Sequence, residues 1–337
     1  MPMLGKGVVF MAPRTARFLE LELPEPGPSD IVVRVTQSWI SNGTEGSYFR
    51  GERSDGDTPF QEGDPLPFPV VAGYQKVGVV ESVGPDAPHF EIGELVFATI
   101  GRVEGMHHSY GGQVSPSVTP GDNVWHIPPS VDPLEICPLV LMQVGFNAGM
   151  RPPVEKGTPA VVIGDGLVGH WTAQTLAWRG ADVMMVGRHD DRLAKLQIFP
   201  GGHTVNARKR DWISAVRTSF GDRVVIGVDT VGSIEIMNQL GDLLGRFGHL
   251  VSAGFYGPDD RLPLQPPRYG EHTIHLVSGW TRDRMDAAID AIVAGGLKAK
   301  HLLTHRFPVE RASDAWSLIE SKTEPVLGVL LDWTESQ

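Results

Sequence analysis

The sequence predicts an α/β protein: a β-rich first part, then a doubly wound parallel sheet. Three observations carry the expectation. Up to about residue 145 the chain reads as short strands between Gly and Pro turns, with little helix. From "TPAVVIG" onward, continuous apolar strands alternate with helices. A glycine-rich turn, Gly164-Asp165-Gly166-Leu167-Val168-Gly169, joins the first of those strands to the first of those helices.

In the first part the strands are "GKGVVF", "ARFLELEL", "DIVVRVTQSWI", "VVAGYQKVGVVESVG", "ELVFATI", "GGQVSPSVTP" and "NVWHIP". Their spacing suggests an antiparallel or barrel-like unit. The stretch "FRGERSDGDTPFQEGDPLP" is rich in Gly, Pro and charge, a surface loop long enough to be functional. Inside "VVAGYQKVGVVESVG" three polar residues, Tyr74, Gln75 and Lys76, interrupt an otherwise apolar strand. Alternation puts at least one of them on the buried face, where a polar group needs a partner.

The second part begins with strand "AVVIG" and helix "HWTAQTLAWRG", closed by Gly180. Strand "ADVMMVG", helix "DRLAKLQIF", strand "VVIGVDTVG", helix "EIMNQLGDLL" and strands "GHLVSAGF" and "HTIHLVSG" follow. The tail "RDRMDAAIDAIVAGG", "HRFPVERASDAWSLIE", "PVLGVLLDW" reads as two helices and a strand.

The length of 337 residues implies two domains. With 41% hydrophobic and 20% charged residues, and without an apolar run of the ~18 residues a bilayer span requires, a cytoplasmic protein with no membrane partner is expected. The start "MPMLGKGVVF" lacks the pattern of a signal peptide. A net charge of −11 disfavours nucleic acid. The single cysteine, Cys137, excludes an intrachain disulfide or a cysteine-clustered metal, and its apolar run "ICPLVLMQVGF" suits a core thiol.

The glycine turn has the context that a dinucleotide site needs. Gly164 permits the tight turn, Gly166 lets a pyrophosphate approach the helix N-terminus, and Gly169 allows close helix–strand packing. Leu167 and Val168 open that helix. An NAD site places an Asp or Glu at the end of the second strand, about 20 residues on. Gly187 stands there, leaving room for a 2′-phosphate, with Arg188, His189 and Arg192 following. A guanidinium matches a phosphate in charge and fork, so NADP(H) is the expected cofactor. Asp190 and Asp191 are the alternative, carboxylates that could serve NAD(H).

Taken together, "DIVVRV", "VGVVESVG", "IGELVFA", "GGQVSPSV", "VVIGDGLVG", "VDTVGS" and "HRFPVERASDAW" resemble the medium-chain alcohol dehydrogenase/reductase superfamily over essentially the whole chain. The resemblance implies a β-rich GroES-like catalytic domain, residues 1–148 and 284–337, and an NADP-binding Rossmann domain, 149–283. It sets Thr230, Val231 and Gly254 beside the cofactor. It also implies a homodimer or homotetramer, with "HTIHLVSG" as the edge strand that would otherwise stay unpaired.

The departures from the family pattern concern its zinc. Ser41 stands in "WISNGTEGS" where zinc-dependent members carry a cysteine, and Gly73-Tyr74-Gln75 replaces their Gly-His-Glu. The region of the third ligand offers only Cys137 or Gln143, and the four-cysteine zinc loop is missing. No catalytic zinc is therefore expected. In "EGMHHSYGG", His107 is a candidate to face substrate, with metal ligation and a plain loop as the alternatives.

Without a Lewis acid, the carbonyl oxygen needs a proton donor. The resemblance puts Tyr74 at the lost ligand position, Thr44 at the family's proton-relaying hydroxyl and Ser41 on the facing segment. These three are the expected catalytic residues. Gln75, Glu45, Asn42 and His107 are expected at the substrate. The pair "ISNGTE" and "AGYQKVG" is also similar to the "ISTGTE" and "PGYE" stretches of bacteriochlorophyllide dehydrogenase-type proteins. The implied function is zinc-independent hydride transfer between NADP(H) and a secondary alcohol/ketone, such as a polyol, cyclitol or sugar derivative. The alternatives are reduction of an activated C=C bond, as in quinone and enoyl reductases, and a cofactor-binding protein without turnover.

Overall fold

Strand Asp30–Ile40 buries one apolar face, Ile31, Val33, Val35 and Trp39, and is paired along both edges. It runs antiparallel to Lys76–Val83, to Ser117–Pro120 and to Gly328–Asp332, with Ile40 opposite Val329. The computed structural model describes residues 3–56, 58–87, 89–198, 202–257 and 259–334. Asp57 of the charged loop and Phe199, the last residue of the expected helix "DRLAKLQIF", lie outside the described residues.

The chain divides into two compact units, Met1–Val140 with Leu302–Gln337, and Leu141–His301. The first is β-rich. Strand Met3–Ala12 pairs with Thr15–Leu23, while Asp30–Ile40 belongs to a larger sheet. Its core includes Phe10, Phe49 and Trp316, with Phe49 stacked on Trp316 at 5.0 Å and Phe10 edge-on to the same indole at 5.0 Å. Those contacts tie helix Thr44–Arg50 to the C-terminal helix Ala312–Ser321.

The second unit is a parallel sheet in the order His203–Asn206, Asp182–Gly187, Pro159–Ile163, Val224–Asp229, Leu244–Ser252, Thr273–Leu276. That order reverses direction beside Pro159–Ile163, the arrangement of a Rossmann doubly wound sheet. Among the described residues no helix is long and apolar enough to cross a membrane.

The unit boundaries differ from 148 and 283. A Cβ on Gly149 would come within 2.6 Å of Thr175 Cβ, so helix Leu139–Met150 packs against helix Leu167–Trp178. At the other end, Lys298 N donates to Gln174 Oε1 at 2.8 Å, and its carbonyl accepts from Trp171 Nε1 at 3.1 Å. Helix Arg282–Val293 therefore stays with the parallel sheet. The tail also holds a strand that the pattern did not reveal, Leu303–Pro308, parallel to Gly328–Asp332.

The stretch from Val70 to Val83 is not one strand. Val70–Val71 pairs with Met3–Ala12, Lys76–Val83 pairs with Asp30–Ile40, and the chain between them is irregular. Gly73 makes the break, with φ of 80°. A Cβ there would overlap Gln113 Cγ, and one on Gly112 would overlap the Tyr74 backbone nitrogen. The "GGQ" segment thus seats Tyr74 at a bend between two sheets.

Candidate active site

In the parallel unit, the glycine turn has one job per glycine. Gly164 adopts φ of 117°, and Gly169 lies so close to the Gly164 carbonyl that a Cβ would overlap it. Gly166 caps helix Leu167–Trp178, and a Cβ there would meet nothing within 4 Å. The helix N-terminus, carrying Leu167 and Val168, is thus open on that side to an anion.

The neighbouring loop is organised by Asp229, fully buried at the end of its strand. Its carboxylate accepts from Val231 N at 2.8 Å, Gly232 N at 3.1 Å, Ser233 N at 2.8 Å and the Tyr256 hydroxyl at 2.7 Å. Thr230 Oγ1 donates to the Ile163 carbonyl at 2.8 Å, and Gly254 packs directly on Gly232. Thr230, Val231 and Gly254 therefore form one layer with the glycine turn.

At the end of strand Asp182–Gly187 the space left by Gly187 is filled. A Cβ on Gly187 would stand 2.5 Å from the Asp165 Cβ. The Asp165 carboxylate accepts from Arg188 N at 2.6 Å and His189 N at 2.8 Å. Arg192 Nη1 lies 3.5 Å away. The expectation that Gly187 leaves room for a phosphate is corrected: the room is taken by the second residue of the glycine turn. Asp190 is paired with Asn206 and Lys209 on the next strand's end.

In the β-rich unit, Tyr74, Ser41 and Thr44 converge. The partly buried Tyr74 hydroxyl lies against the side chains of Ser41 and Thr44, although Ser41 Oγ reaches no full hydrogen-bond geometry. Burial, then the nearby Glu45, pushes the phenol above its ordinary range, while Ser41, Thr44 and Arg53 pull it down. The net effect keeps Tyr74 protonated at neutral pH.

Glu45 is buried and its carboxyl turns inward. Oε1 accepts from Ser41 N at 2.9 Å, and Oε2 accepts from Gln113 Nε2 at 2.7 Å. Burial pushes it up to about 8, against the Ser41 N–H, so it carries a proton at neutral pH. Glu45 thus shapes the turn from Ser41 to Thr44. Gln75, expected at the substrate, is fully buried and donates to the Trp39 carbonyl at 3.2 Å. It serves the sheet. Lys76 is buried as well, donating to the Thr99 carbonyl at 2.6 Å, and burial lowers it to about 7.

Asn42 donates to the Leu327 carbonyl at 2.7 Å, anchoring its loop to the C-terminal segment. His107 is exposed on a loop, its backbone N bonded to the Pro69 carbonyl at 2.7 Å. His108 beside it stacks on Tyr110 at 5.2 Å and meets Tyr48 edge-on at 6.1 Å. Two residues escaped the sequence reading. Gln113 holds both Gly73 and Glu45. Arg53, 3% exposed inside the charged loop, donates to Ser47 Oγ at 2.6 Å and bears on the Tyr74 hydroxyl. The "GGQ" triplet was the available signal for the first; a buried arginine in a polar loop gives none.

Cys137 is a buried core thiol, raised by burial, with Sγ 3.8 Å from the Gln37 carbonyl. Among the described residues no three His, Cys, Asp or Glu side chains group as a metal site.

Residues 168–294 match the zinc-binding dehydrogenase family. The match lies wholly in the parallel-sheet unit and does not extend to positions 41, 74 and 75. The 2-desacetyl-2-hydroxyethyl bacteriochlorophyllide A dehydrogenase of Cereibacter sphaeroides is 26% identical over 97% of this chain and 97% of its own. The solved alcohol dehydrogenase RspB of Escherichia coli CFT073, complexed with NADH, superposes with TM-score 0.83 at 22% identity, over 98% of this chain and 99% of that one. A Sinorhizobium meliloti structure described as a zinc-binding dehydrogenase and bound to NADP gives 0.80 at 19% identity, over 98% and 99%. Over nearly the full length of each, on this fold and with this glycine turn, the chain is similar to oxidoreductases of the medium-chain dehydrogenase/reductase superfamily.

Proposed function

We propose that the chain is a zinc-independent dehydrogenase that moves a hydride between NADP(H) and a secondary alcohol/ketone pair, with Tyr74 as proton donor to the carbonyl oxygen. The observation that carries this is the Tyr74 hydroxyl held against Ser41 and Thr44 at the Gly73 bend. A zinc ion takes about three protein ligands from Cys, His and carboxylate. The groups gathered here are three hydroxyls and a carboxyl kept protonated and turned to Ser41 N and Gln113, while Cys137 is a buried thiol turned to the Gln37 carbonyl. That donor set does not fit zinc.

The cofactor supplies or accepts the hydride at carbon. In ketone reduction the new alkoxide takes the proton of Tyr74, and the phenolate is re-protonated through Thr44 or Ser41. In the opposite direction the same path reverses: the alcohol proton passes to the Tyr74 oxygen as the Tyr74 proton leaves through Thr44 or Ser41, and the hydride goes to the cofactor. The hydroxyethyl group in the name of the Cereibacter sphaeroides relative supports an alcohol substrate. The polar surroundings support a hydroxylated one, such as a polyol, cyclitol or sugar derivative. NADP(H) is favoured by Arg188 and Arg192, and by Arg208, Lys209 and Arg210 after the adjoining strand His203–Asn206. Neighbours of this fold hold NADH or NADP. We propose also that the chain self-associates through Thr273–Leu276, which ends the parallel sheet and leaves Leu276 76% exposed. Sedimentation as a monomer at micromolar concentration would remove that part.

The test is Tyr74→Phe assayed with a panel of secondary alcohols, ketones, enones and quinones. Loss of carbonyl turnover on the order of a hundredfold or more, with nucleotide binding retained, is expected. Unchanged turnover overturns the role of Tyr74. Fast enone or quinone reduction without carbonyl activity replaces the alcohol with a C=C substrate. One zinc per chain in the purified protein overturns the metal-free chemistry.

A further inference from the structure

The end of strand Asp182–Gly187 already holds an anion, and that anion belongs to the chain. Asp165 Oδ2 accepts from the backbone N–H groups of Arg188 at 2.6 Å and His189 at 2.8 Å. His189 Nδ1 lies 3.1 Å from both carboxylate oxygens, and Arg192 Nη1 lies 3.5 Å from Oδ1. Two adjacent backbone N–H groups and a guanidinium converging on one point are the means by which a phosphate is bound. Despite being only 6% exposed, the carboxyl sits below its ordinary range, because these donors outweigh burial. Positions 165 and 187 are also exclusive in space: a Cβ on Gly187 would collide with Asp165 Oδ2. An acid at the strand end and an acid from the glycine turn cannot coexist, and this chain has the second.

Resting on the reading of this turn as the dinucleotide site, we propose that Asp165 is the residue that sets cofactor specificity. Its carboxylate takes a ribose hydroxyl of NAD(H), and it competes with the 2′-phosphate of NADP(H) for the N–H groups of Arg188 and His189. The surrounding guanidiniums draw the phosphate in and the carboxylate opposes it, so the preference for NADP(H) over NAD(H) is slight.

The experiment measures Kd for NADP+ and NAD+ by calorimetry, without substrate, on wild type, Asp165→Asn, Asp165→Ser and Arg188→Ala, with thermal melts to establish folding. In the wild type the two constants are expected within about tenfold of each other. Asp165→Asn, which keeps the shape and removes the charge, is expected to shift the ratio toward NADP+ by on the order of tenfold or more, and Asp165→Ser in the same direction. A wild type that binds one nucleotide over a hundredfold more tightly, or an unchanged ratio in a folded variant, overturns the inference. Arg188→Ala reports separately on the 2′-phosphate: equal weakening of both nucleotides removes the NADP(H) reading, while the Asp165 ratio still decides the carboxylate's role. A wild type that binds neither overturns both.

Discussion

Gln113 donates to Glu45 across 2.7 Å, and neither side chain is exposed. Through that bond the "GGQ" segment, which seats Tyr74, is joined to the helix that carries Thr44. Glu45 is the titrating member, raised to about 8 by burial. Its proton is held in the folded chain and released above about 4.5 in the unfolded one. The stability it contributes is therefore complete below that value and is lost as pH rises toward about 8.

Lys76 works in the opposite sense. Lowered to about 7, it contributes stability that is complete above its unfolded value of 10.5 and is lost as pH falls toward 7. Between pH 5 and 7, therefore, only Glu45 of the two tilts the stability curve, by up to about 1.4 kcal/mol per pH unit. Denaturant melts across that range are expected to show a downward slope in wild type that Glu45→Gln flattens and Lys76→Met leaves in place. A slope that survives Glu45→Gln would contradict the assignment.

Gly73→Ala should damage the site through the backbone. The residue would need φ of 80° and its methyl would overlap Gln113 Cγ. A loss of roughly 1–3 kcal/mol is expected, read from the urea midpoint. Because Tyr74 follows directly, turnover should fall further than stability alone explains. A fully active Gly73→Ala would mean that the bend does not hold the hydroxyl.

Two glycines of the same turn should behave differently. Gly166→Ala meets no atom within 4 Å, so the free protein should keep its stability within about 0.5 kcal/mol while nucleotide affinity drops. Gly169→Ala collides with the Gly164 carbonyl and should destabilise the free protein itself. Melting curves with and without nucleotide separate the two, and identical behaviour would deny Gly166 its place beside a ligand.

What the sequence disclosed was whatever local pattern encodes. The alternation of apolar strands and helices after residue 158 and the glycine turn are both periodic or compositional, and the parallel sheet follows from them. The convergence of Ser41, Thr44 and Tyr74 came from resemblance, and they do lie together. The bend at Gly73 was hidden because a positive φ leaves no trace beyond the glycine itself. Gln75 was misjudged for a related reason. A polar residue next to a site can be spent on a main-chain carbonyl, and only the tertiary pairing with Trp39 reveals it. Asp165 was read as an unmarked position within a motif; its carboxylate matters because the chain returns at Gly187, 22 positions later in the numbering.

The β-rich unit is assembled from both ends of the chain, and Ile40 finds its partner only at Val329. On the ribosome, strand Asp30–Ile40 emerges early, and its Gln37–Ile40 edge stays bare until Gly328–Asp332 is made. The whole parallel sheet can meanwhile form from contiguous sequence. Synthesis order thus makes the dinucleotide-binding unit the first to finish and the Tyr74 unit the last. Truncation near the C-terminus should accordingly leave a chain that still binds nucleotide but offers it no chemistry.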